Sequence, residues 1–301
     1  DFFEVDNLYD GSAHRRSLGK APKIRNLNKY RKGSTKHLFM STRVAIERRL
    51  PPRLGPAIDD PVDLRGGALL YLGGFTHIAW ICARARQQAA DLTIGVMIHD
   101  VIPIMERFGL GLGEKRAFEA GFATVAETDT RILCNSEYTR GDIEAAIARG
   151  ALPRPQQPLR VTSLAHQLRR PVKPAPAKPR PPYLLVVGGV HGRKNVRLLL
   201  DAVLMLREQG FGGLPPRIVC AGRVADHGPA MMASDPRYAA LTETVEFVDQ
   251  PAQAELYTLY EQCDALVFPT TYEGWGLPVG EALWLNRPVF SSNATSLPEV
   301  G

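Results

Sequence analysis

A pair of glutamates with seven residues between them is the group of side chains best placed to do chemistry. Glu273 lies in a loop with two glycines, and Glu281 follows in the first turns of a predicted helix. Carboxylates suit the hydroxyls of a sugar or a ribose, because they accept hydrogen bonds and would repel a phosphate. The helix start itself offers unpaired N–H groups and partial positive charge to a diphosphate. The residues that offer these amides are Gly274, Trp275, Gly276 and Leu277.

A second turn with glycines, at 188–192, leads into Arg193 and Lys194 at the start of another predicted helix. A guanidinium and an ammonium beside a helix start form a phosphate site. The sequence has no clear Asp-x-Asp pair after a strand, so nothing implies a metal ion. We therefore expect no metal or other cofactor, with the two cations and the helix terminus in place of Mg²⁺.

His99 and Asp100 follow directly after the predicted strand at 92–98. Such a pair can hydrogen-bond sugar hydroxyls or assist proton transfer. The alternative is a capping aspartate beside an incidental histidine before a turn.

The elements that must position these residues follow an alternation of short β-rich runs and helical periodicity, which predicts parallel sheets with crossover helices. In the first half the predicted strands are 68–72, 92–98, 131–134 and 159–164, and the predicted helix is 137–148 with Ser136 as its cap. In the second half the predicted strands are 183–187, 217–220, 245–248, 265–268 and 287–291, and the predicted helices are 195–208, 252–262 and 278–285. The motifs thus lie at the carboxyl ends of parallel strands, where α/β proteins bind ligands.

A proline-rich stretch at 171–182 is the clearest boundary, because proline fixes φ and removes backbone donors. It predicts a first domain at 1–170, a linker, and a second domain at 183–301. The first sixty residues show no glycine-rich βα turn, and the last residues stop without closing elements. We therefore expect that residues are missing at both ends.

Over most of residues 68–301 the chain resembles the retaining glycosyltransferases of family 4. The resemblance rests on Glu-Gly-Trp-Gly-Leu-Pro at 273–278, on the turn at 188–195 and on His-Asp-Val-Ile-Pro at 99–103. It implies an α/β fold of the GT-B type, in which two Rossmann-like domains face each other with parallel sheets across a cleft. It also implies that domain 1–170 is the acceptor side and domain 183–301 the nucleotide-sugar donor side.

The resemblance further implies roles for the residues already named. Arg193 and Lys194 would neutralise the departing diphosphate, Glu273 would hold the donor sugar, and Glu281 would hold the ribose. His99, Asp100 and Glu273 become the candidate catalytic residues. The base would meet the backbone of Phe247 and Val248.

The reaction so implied is retaining transfer of a hexose from a nucleoside diphosphate sugar to a hydroxyl of a glycan or a lipid-diphosphate-linked glycan. The Trp275 form of the motif is similar to that of bacterial polysaccharide enzymes that use GDP-mannose or deoxyhexose donors. An alternative is a non-catalytic nucleotide-sugar-binding scaffold or subunit. A nicotinamide-dependent dehydrogenase fits poorly, because the glycines at 188–192 lack its spacing and no acidic residue follows at the expected distance.

Composition limits the remaining classes. With 45% hydrophobic and 23% charged residues, the chain has the profile of a soluble globular protein. Net charge is +6, and ten Lys or Arg with no Asp or Glu lie between Gly11 and Ile46. This run either contacts an anionic surface such as the inner face of a membrane or is a solvated loop; it lacks the aromatics of a nucleic-acid site. The four separated cysteines predict reduced core thiols and a cytoplasmic location.

Overall fold

The computed structural model describes residues 65–301 except 75–77, 109–110, 167, 169, 173–179, 211–216 and 226. The predictions for the basic run at 11–46, for most of the proline-rich linker and for the first sixty residues therefore lie outside the described residues. Two compact units are interleaved along the chain. Of the described residues, the first unit contains 65–97, 116–132 and 153–158, and the second contains 98–115, 133–152 and 159–301. The predicted domain boundaries stay a prediction.

The first sheet is built from four short strands in the order β1-β2-β3-β4. These strands are β1 (Ala68–Tyr71), β2 (Thr93–Ile98), β3 (Arg131–Cys134) and β4 (Arg160–Val161). β1 pairs in parallel with β2, and β3 pairs in parallel with β4 through Leu133–Arg160 and Cys134–Val161. All four were predicted, although β4 is shorter than the expected run at 159–164.

Three helices accompany these strands: α1 (Ile78–Gln88), α2 (Leu112–Ala126) and α3 (Glu137–Ala148). The predicted bounds of α3 are confirmed, and so is its cap, because the Ser136 hydroxyl accepts a 3.0 Å hydrogen bond from the Thr139 amide. α1 and α2 had no specific prediction. Short 3₁₀ turns at Ile102–Ile104 and Glu106–Phe108 follow β2.

The second sheet has five parallel strands in the order β7-β6-β5-β8-β9. Its strands are β5 (Tyr183–Val187), β6 (Arg217–Gly222), β7 (Val245–Asp249), β8 (Ala265–Phe268) and β9 (Val289–Ser291). The order reverses beside β5, between β6 and β8. The carboxyl ends of strands at such a reversal border the crevice in which α/β proteins bind ligands.

Four helices complete this part of the chain: α4 (Val196–Glu208), α5 (Gly228–Ala233), α6 (Gln253–Gln262) and α7 (Leu277–Trp284). One side of the sheet packs on Leu199, Leu200 and Val203 of α4. The other side packs on Leu259 and Tyr260 of α6 and on Val279 of α7. Apolar layers therefore pack on both sides of β5 and β8, and they fix the positions at which the loops after these strands begin.

The predicted core thiols are present in the structure. All four cysteines are buried and unpaired, as expected for core thiols. None of the helices in the described part of the chain is long and apolar enough to cross a membrane.

Candidate functional site

The loop between β8 and α7 carries the site. β8 ends at Phe268, and α7 begins at Leu277, one residue before the predicted start at Pro278. Gly276 takes φ 111° at the helix cap, a conformation that favours glycine. The strand–loop–helix order of the prediction is confirmed, and it leaves Glu273 in the loop and Glu281 on the helix.

Glu273 is the centre of a charged cluster at the end of β8. Its Oε1 atom lies 2.6 Å from the Lys194 Nζ and 2.7 Å from an Arg193 nitrogen. The Thr270 hydroxyl also lies within hydrogen-bond distance of the same oxygen, at 2.9 Å. The glutamate side chain is 12% exposed, so two cations and one carboxylate share a largely desolvated place. Glu273 therefore serves as the counter-ion of both basic residues.

Arg193 and Lys194 reach this place because the loop after β5 is bonded to the loop after β8. The Arg193 guanidinium donates to the Tyr272 carbonyl at 2.8 Å, and the Arg193 carbonyl accepts from the Thr271 amide at 2.8 Å. The Lys194 ammonium also lies 4.8 Å from the centroid of the Phe268 ring. Burial lowers the pKa of Lys194, and Glu273 opposes that shift.

Glu281 has a neutral partner. Its Oε2 atom accepts a 2.7 Å hydrogen bond from the hydroxyl of Tyr260, on α6. Burial raises the pKa of that phenol well above its usual value, and the glutamate adds to the effect. The second carboxylate of the motif is thus held by a neutral donor, and a sugar hydroxyl could take the place of that donor without bringing charge.

The predicted diphosphate-binding amides belong to a loop fixed on several sides. The Ser136 hydroxyl donates to the Gly274 carbonyl at 2.8 Å. A Cβ atom at position 274 would lie 1.7 Å from the His99 carbonyl oxygen, so only glycine fits there. The fully buried Tyr272 donates from its hydroxyl to Asp142 of α3 at 2.6 Å. Segments 98–100 and 135–142 therefore form one wall of this loop.

His99 and Asp100 lie beside Gly274 in that wall. The His99 carbonyl accepts a 2.8 Å hydrogen bond from the Asn135 amide group, which fixes the backbone. An oxygen of Asp100 accepts from the Ile102 amide at 3.0 Å, which is the capping geometry of the alternative interpretation. Burial raises the pKa of Asp100, although Ile102 and Arg193 oppose it. The structure thus brings the pair to the Glu273 loop, while its chemical role stays a prediction.

Sequence reasoning missed the segment after β9. Thr295 adopts φ 56°, which is rare for a β-branched residue, and its hydroxyl accepts a 3.0 Å hydrogen bond from the Glu273 amide. The Ser296 hydroxyl lies within hydrogen-bond distance of two carbonyls, at 3.0 Å from that of Glu273 and 2.9 Å from that of Trp275. The unusual φ of Thr295 is a signal that only the structure contains.

The predicted base-binding residues are half-buried on opposite faces of β7. Phe247 packs with the apolar layer beneath α4, and Val248 with the layer beneath α6. An open pocket of about 290 Å³ lies nearby, at the carboxyl ends of β5 and β6. Its lining includes Gly188, Gly222 and Gln250. The backbone role predicted for Phe247 and Val248 stays untested.

Within the described ranges, no three His, Cys, Asp or Glu side chains are grouped as a metal site would require. Whether the chain needs a metal stays a prediction.

Comparison with known proteins bears on the second sheet and its loops. Residues 181–301 match the family model described as "Glycosyl transferases group 1". O-antigen chain mannosyltransferase B of Escherichia coli is 31% identical over 118 residues, which are 39% of this chain and 30% of that protein. The serotype-specific mannosyltransferase WbdA of Escherichia coli is 30% identical over 119 residues, 39% of this chain and 14% of that protein. The chain thus matches less than a third of the length of these curated relatives.

Solved structures extend the likeness to residues before position 181. Anabaena HepE, in complex with UDP and glucose, has a TM-score of 0.56 at 14% identity, over 88% of this chain and 64% of that one. At that identity the likeness concerns the fold alone. The comparisons therefore assign the α/β GT-B fold to the chain and identify residues 181–301 as similar to the group 1 glycosyl transferases.

Proposed function

We propose that the chain transfers a hexose from a nucleoside diphosphate sugar to a hydroxyl of a glycan or lipid-linked glycan, with retention of the anomeric configuration. The match of residues 181–301 to group 1 glycosyl transferases supports transfer of a glycosyl group. The Escherichia coli relatives are both mannosyltransferases, which favours mannose over a deoxyhexose as the donor sugar and supports a bacterial polysaccharide such as an O antigen as the product.

The observation that carries the proposal is the shared oxygen of Glu273. Arg193 and Lys194 converge on it from the loop after β5, at 2.7 and 2.6 Å. Two cations at one point, beside an open pocket and the start of α7, match the charge of a diphosphate. A donor that supplies this charge would free the Glu273 carboxylate to accept hydrogen bonds from the sugar hydroxyls.

The rest of the donor follows from this placement. The nucleoside would lie toward the pocket at Gly188, Gly222 and Gln250, against the backbone that continues from β7. Glu281 would accept a ribose hydroxyl with the oxygen that Tyr260 leaves available. The amides at 274–277 would bind the diphosphate oxygens.

In the proposed reaction the acceptor hydroxyl attacks on the face from which the diphosphate departs. Its oxygen forms a bond to the anomeric carbon as the bond to the diphosphate breaks, and its proton leaves with the diphosphate. Arg193, Lys194 and the loop amides stabilise the developing charge, and His99 and Asp100 orient the sugar. This arrangement would work without a metal ion.

We also propose that the chain acts in the cytoplasm. The basic run at 11–46 would contact the inner face of the membrane, where a lipid-linked acceptor is presented. This part of the proposal rests on charge alone, since those residues lie outside the described structure.

Calorimetry with GDP-mannose, GDP-fucose and UDP-glucose tests the donor site. One of these donors should bind the wild type, and Arg193→Ala with Lys194→Ala should weaken it by about 100-fold or more, since charge-assisted hydrogen bonds contribute about 1.5–3 kcal/mol each. Glu281→Ala should also lose affinity. Arg237→Ala is the matched control, because that guanidinium pairs at the surface with Asp235.

Turnover is tested with a glycan acceptor, and the anomeric proton of the product reports retention by NMR. Binding without turnover on the correct acceptor would favour the scaffold alternative. If no donor binds the folded wild type, or the double variant binds as well as wild type, the assignment fails at this site.

A further inference from the structure

His166 contacts the loop between β8 and α7, although the sequence did not predict this contact. It lies after β4, and its Nε2 atom accepts a 2.7 Å hydrogen bond from the indole N–H of Trp275. The two rings are nearly parallel, at 19° with 5.4 Å between their centroids. Because an indole nitrogen only donates, the neutral imidazole carries its proton on Nδ1.

The same imidazole also contacts the first turns of α7. A Cβ atom at position 280 would lie 2.2 Å from Cγ and 2.7 Å from Nδ1 of His166. The ring therefore occupies the place of a side chain at Gly280, the residue directly before Glu281. One imidazole thus contacts both the loop residue Trp275 and the helix residue Gly280, which lie between Glu273 and Glu281.

This double contact matters because the loop between the glutamates is rich in glycine. Trp275 stands between Gly274 and Gly276, and its side chain is 5% exposed. Glycine gives the backbone freedom, so the loop amides keep one geometry only where side chains hold them. The Trp275 indole is the large side chain in this stretch, and His166 is the hydrogen-bond partner that the structure gives it.

We propose that His166 is a positioning residue for the donor site. Through Trp275 and Gly280 it holds the amides at 274–277 and the start of α7 in one arrangement before the donor binds. Preorganisation of this kind lowers the entropy lost on binding and keeps the amides aimed at the diphosphate. The consequence for donor affinity rests on the proposed function, whereas the ordering of the loop does not.

Hydrogen exchange on the ligand-free protein tests the ordering directly. His166→Phe keeps an aromatic ring but removes the acceptor, so the amides at 274–281 should exchange faster than in wild type. His166→Gln should restore protection, because its carbonyl can accept from the indole. His227→Phe is the matched control, since that ring contacts His191 and not the loop.

Donor kinetics test the consequence. His166→Phe and Trp275→Phe should each raise the donor KM about ten-fold, and the double variant should be no worse than either single one, because both remove the same hydrogen bond. The glutamine variant should recover most of the loss, which general destabilisation would not allow.

Unchanged exchange at 274–281 in His166→Phe would overturn the proposal whatever the protein's activity. Faster exchange with an unchanged donor KM would overturn the positioning role. Faster exchange in a protein that binds no nucleoside diphosphate sugar would instead count against the proposed function.

Discussion

The two glutamates of the motif have seven residues between them in sequence but lie in different electrostatic surroundings. Glu273 shares one oxygen with the side chains of Arg193 and Lys194. Glu281 accepts a hydrogen bond from a neutral phenol, that of Tyr260. A carboxylate between two cations is coupled to any anion that competes for them, whereas a carboxylate bound to a hydroxyl can exchange it for another hydroxyl at little electrostatic cost.

Two identical side chains in one motif can therefore have different tasks. Under the proposed function, a diphosphate would replace Glu273 as the anion beside the two cations, and the carboxylate would be released. Around Glu281, recognition stays neutral. Glu273→Gln and Glu281→Gln each remove one negative charge. Because the surroundings of the two glutamates differ, the two substitutions should change the binding of a nucleoside diphosphate in different ways.

The largest effect should come from Lys194→Met, which keeps the apolar stem and removes the ammonium. We expect kcat/KM for transfer to fall about 100- to 1000-fold, as for loss of a group that stabilises developing negative charge. Steady-state kinetics with the identified donor measure this. Lys115→Met, which removes an ammonium 4.0 Å from Glu106, serves as control and should stay within about two-fold of wild type. A Lys194→Met enzyme with a third or more of wild-type activity would contradict the proposed role.

Glu273→Gln and Glu281→Gln should separate the two surroundings. In Glu273→Gln the carboxylate that competes for Arg193 and Lys194 is gone, so the free nucleoside diphosphate should bind about ten-fold more tightly, a change of about 1.4 kcal/mol. Transfer should nevertheless fall, because the sugar loses its acceptor group. Glu281→Gln should weaken the nucleoside diphosphate instead.

Calorimetry with GDP and UDP, without a sugar, measures both changes. Weaker binding in Glu273→Gln, or tighter binding in Glu281→Gln, would contradict the contrast between the two glutamates.

A pH dependence should follow from Lys194 alone. Burial lowers its pKa, so it should lose its proton, and the site its affinity for a diphosphate, at a lower pH than an ordinary lysine would. The folded state binds this proton more weakly than the unfolded state, so the cost of charging Lys194 is present below its folded pKa and is lost as the pH rises through it. Lys194→Arg should keep diphosphate affinity flat up to about pH 10. Calorimetry between about pH 7 and 10 checks this, and a wild-type affinity as flat as that of the variant would contradict it.

How much of this could be predicted depends on how local each feature is. The strand at 265–268, its loop and the following helix are specified by apolar runs, glycines and a proline within twenty residues, and all three were predicted. Glu273 and Lys194, which form an ion pair, lie 79 positions apart in the sequence. Sequence reasoning placed both groups at a donor site but did not predict that they bind each other.

The features that were missed depend on tertiary contact. Thr295 is in a segment with no pattern of its own, and its positive φ accompanies a hydrogen bond to the Glu273 amide. His166 has no spacing relation to Trp275, from which it is 109 residues distant. Its ordinary surroundings in sequence favoured a core or surface histidine. Only packing of β4 and the residues after it reveals what the ring contacts.

The smallest effect should come from Tyr260→Phe, which removes the hydroxyl that Glu281 accepts. Because the phenol is buried and hydrogen-bonded, its loss should lower the free energy of unfolding by about 0.5–1.5 kcal/mol. Glu281 would then be free to accept from the ribose with both oxygens, so the donor KM should change by no more than a few-fold. Chemical denaturation and donor kinetics measure the two effects side by side. A loss of affinity as large as that of Lys194→Met would mean that Glu281 also works through charge, and the contrast between the two glutamates would disappear.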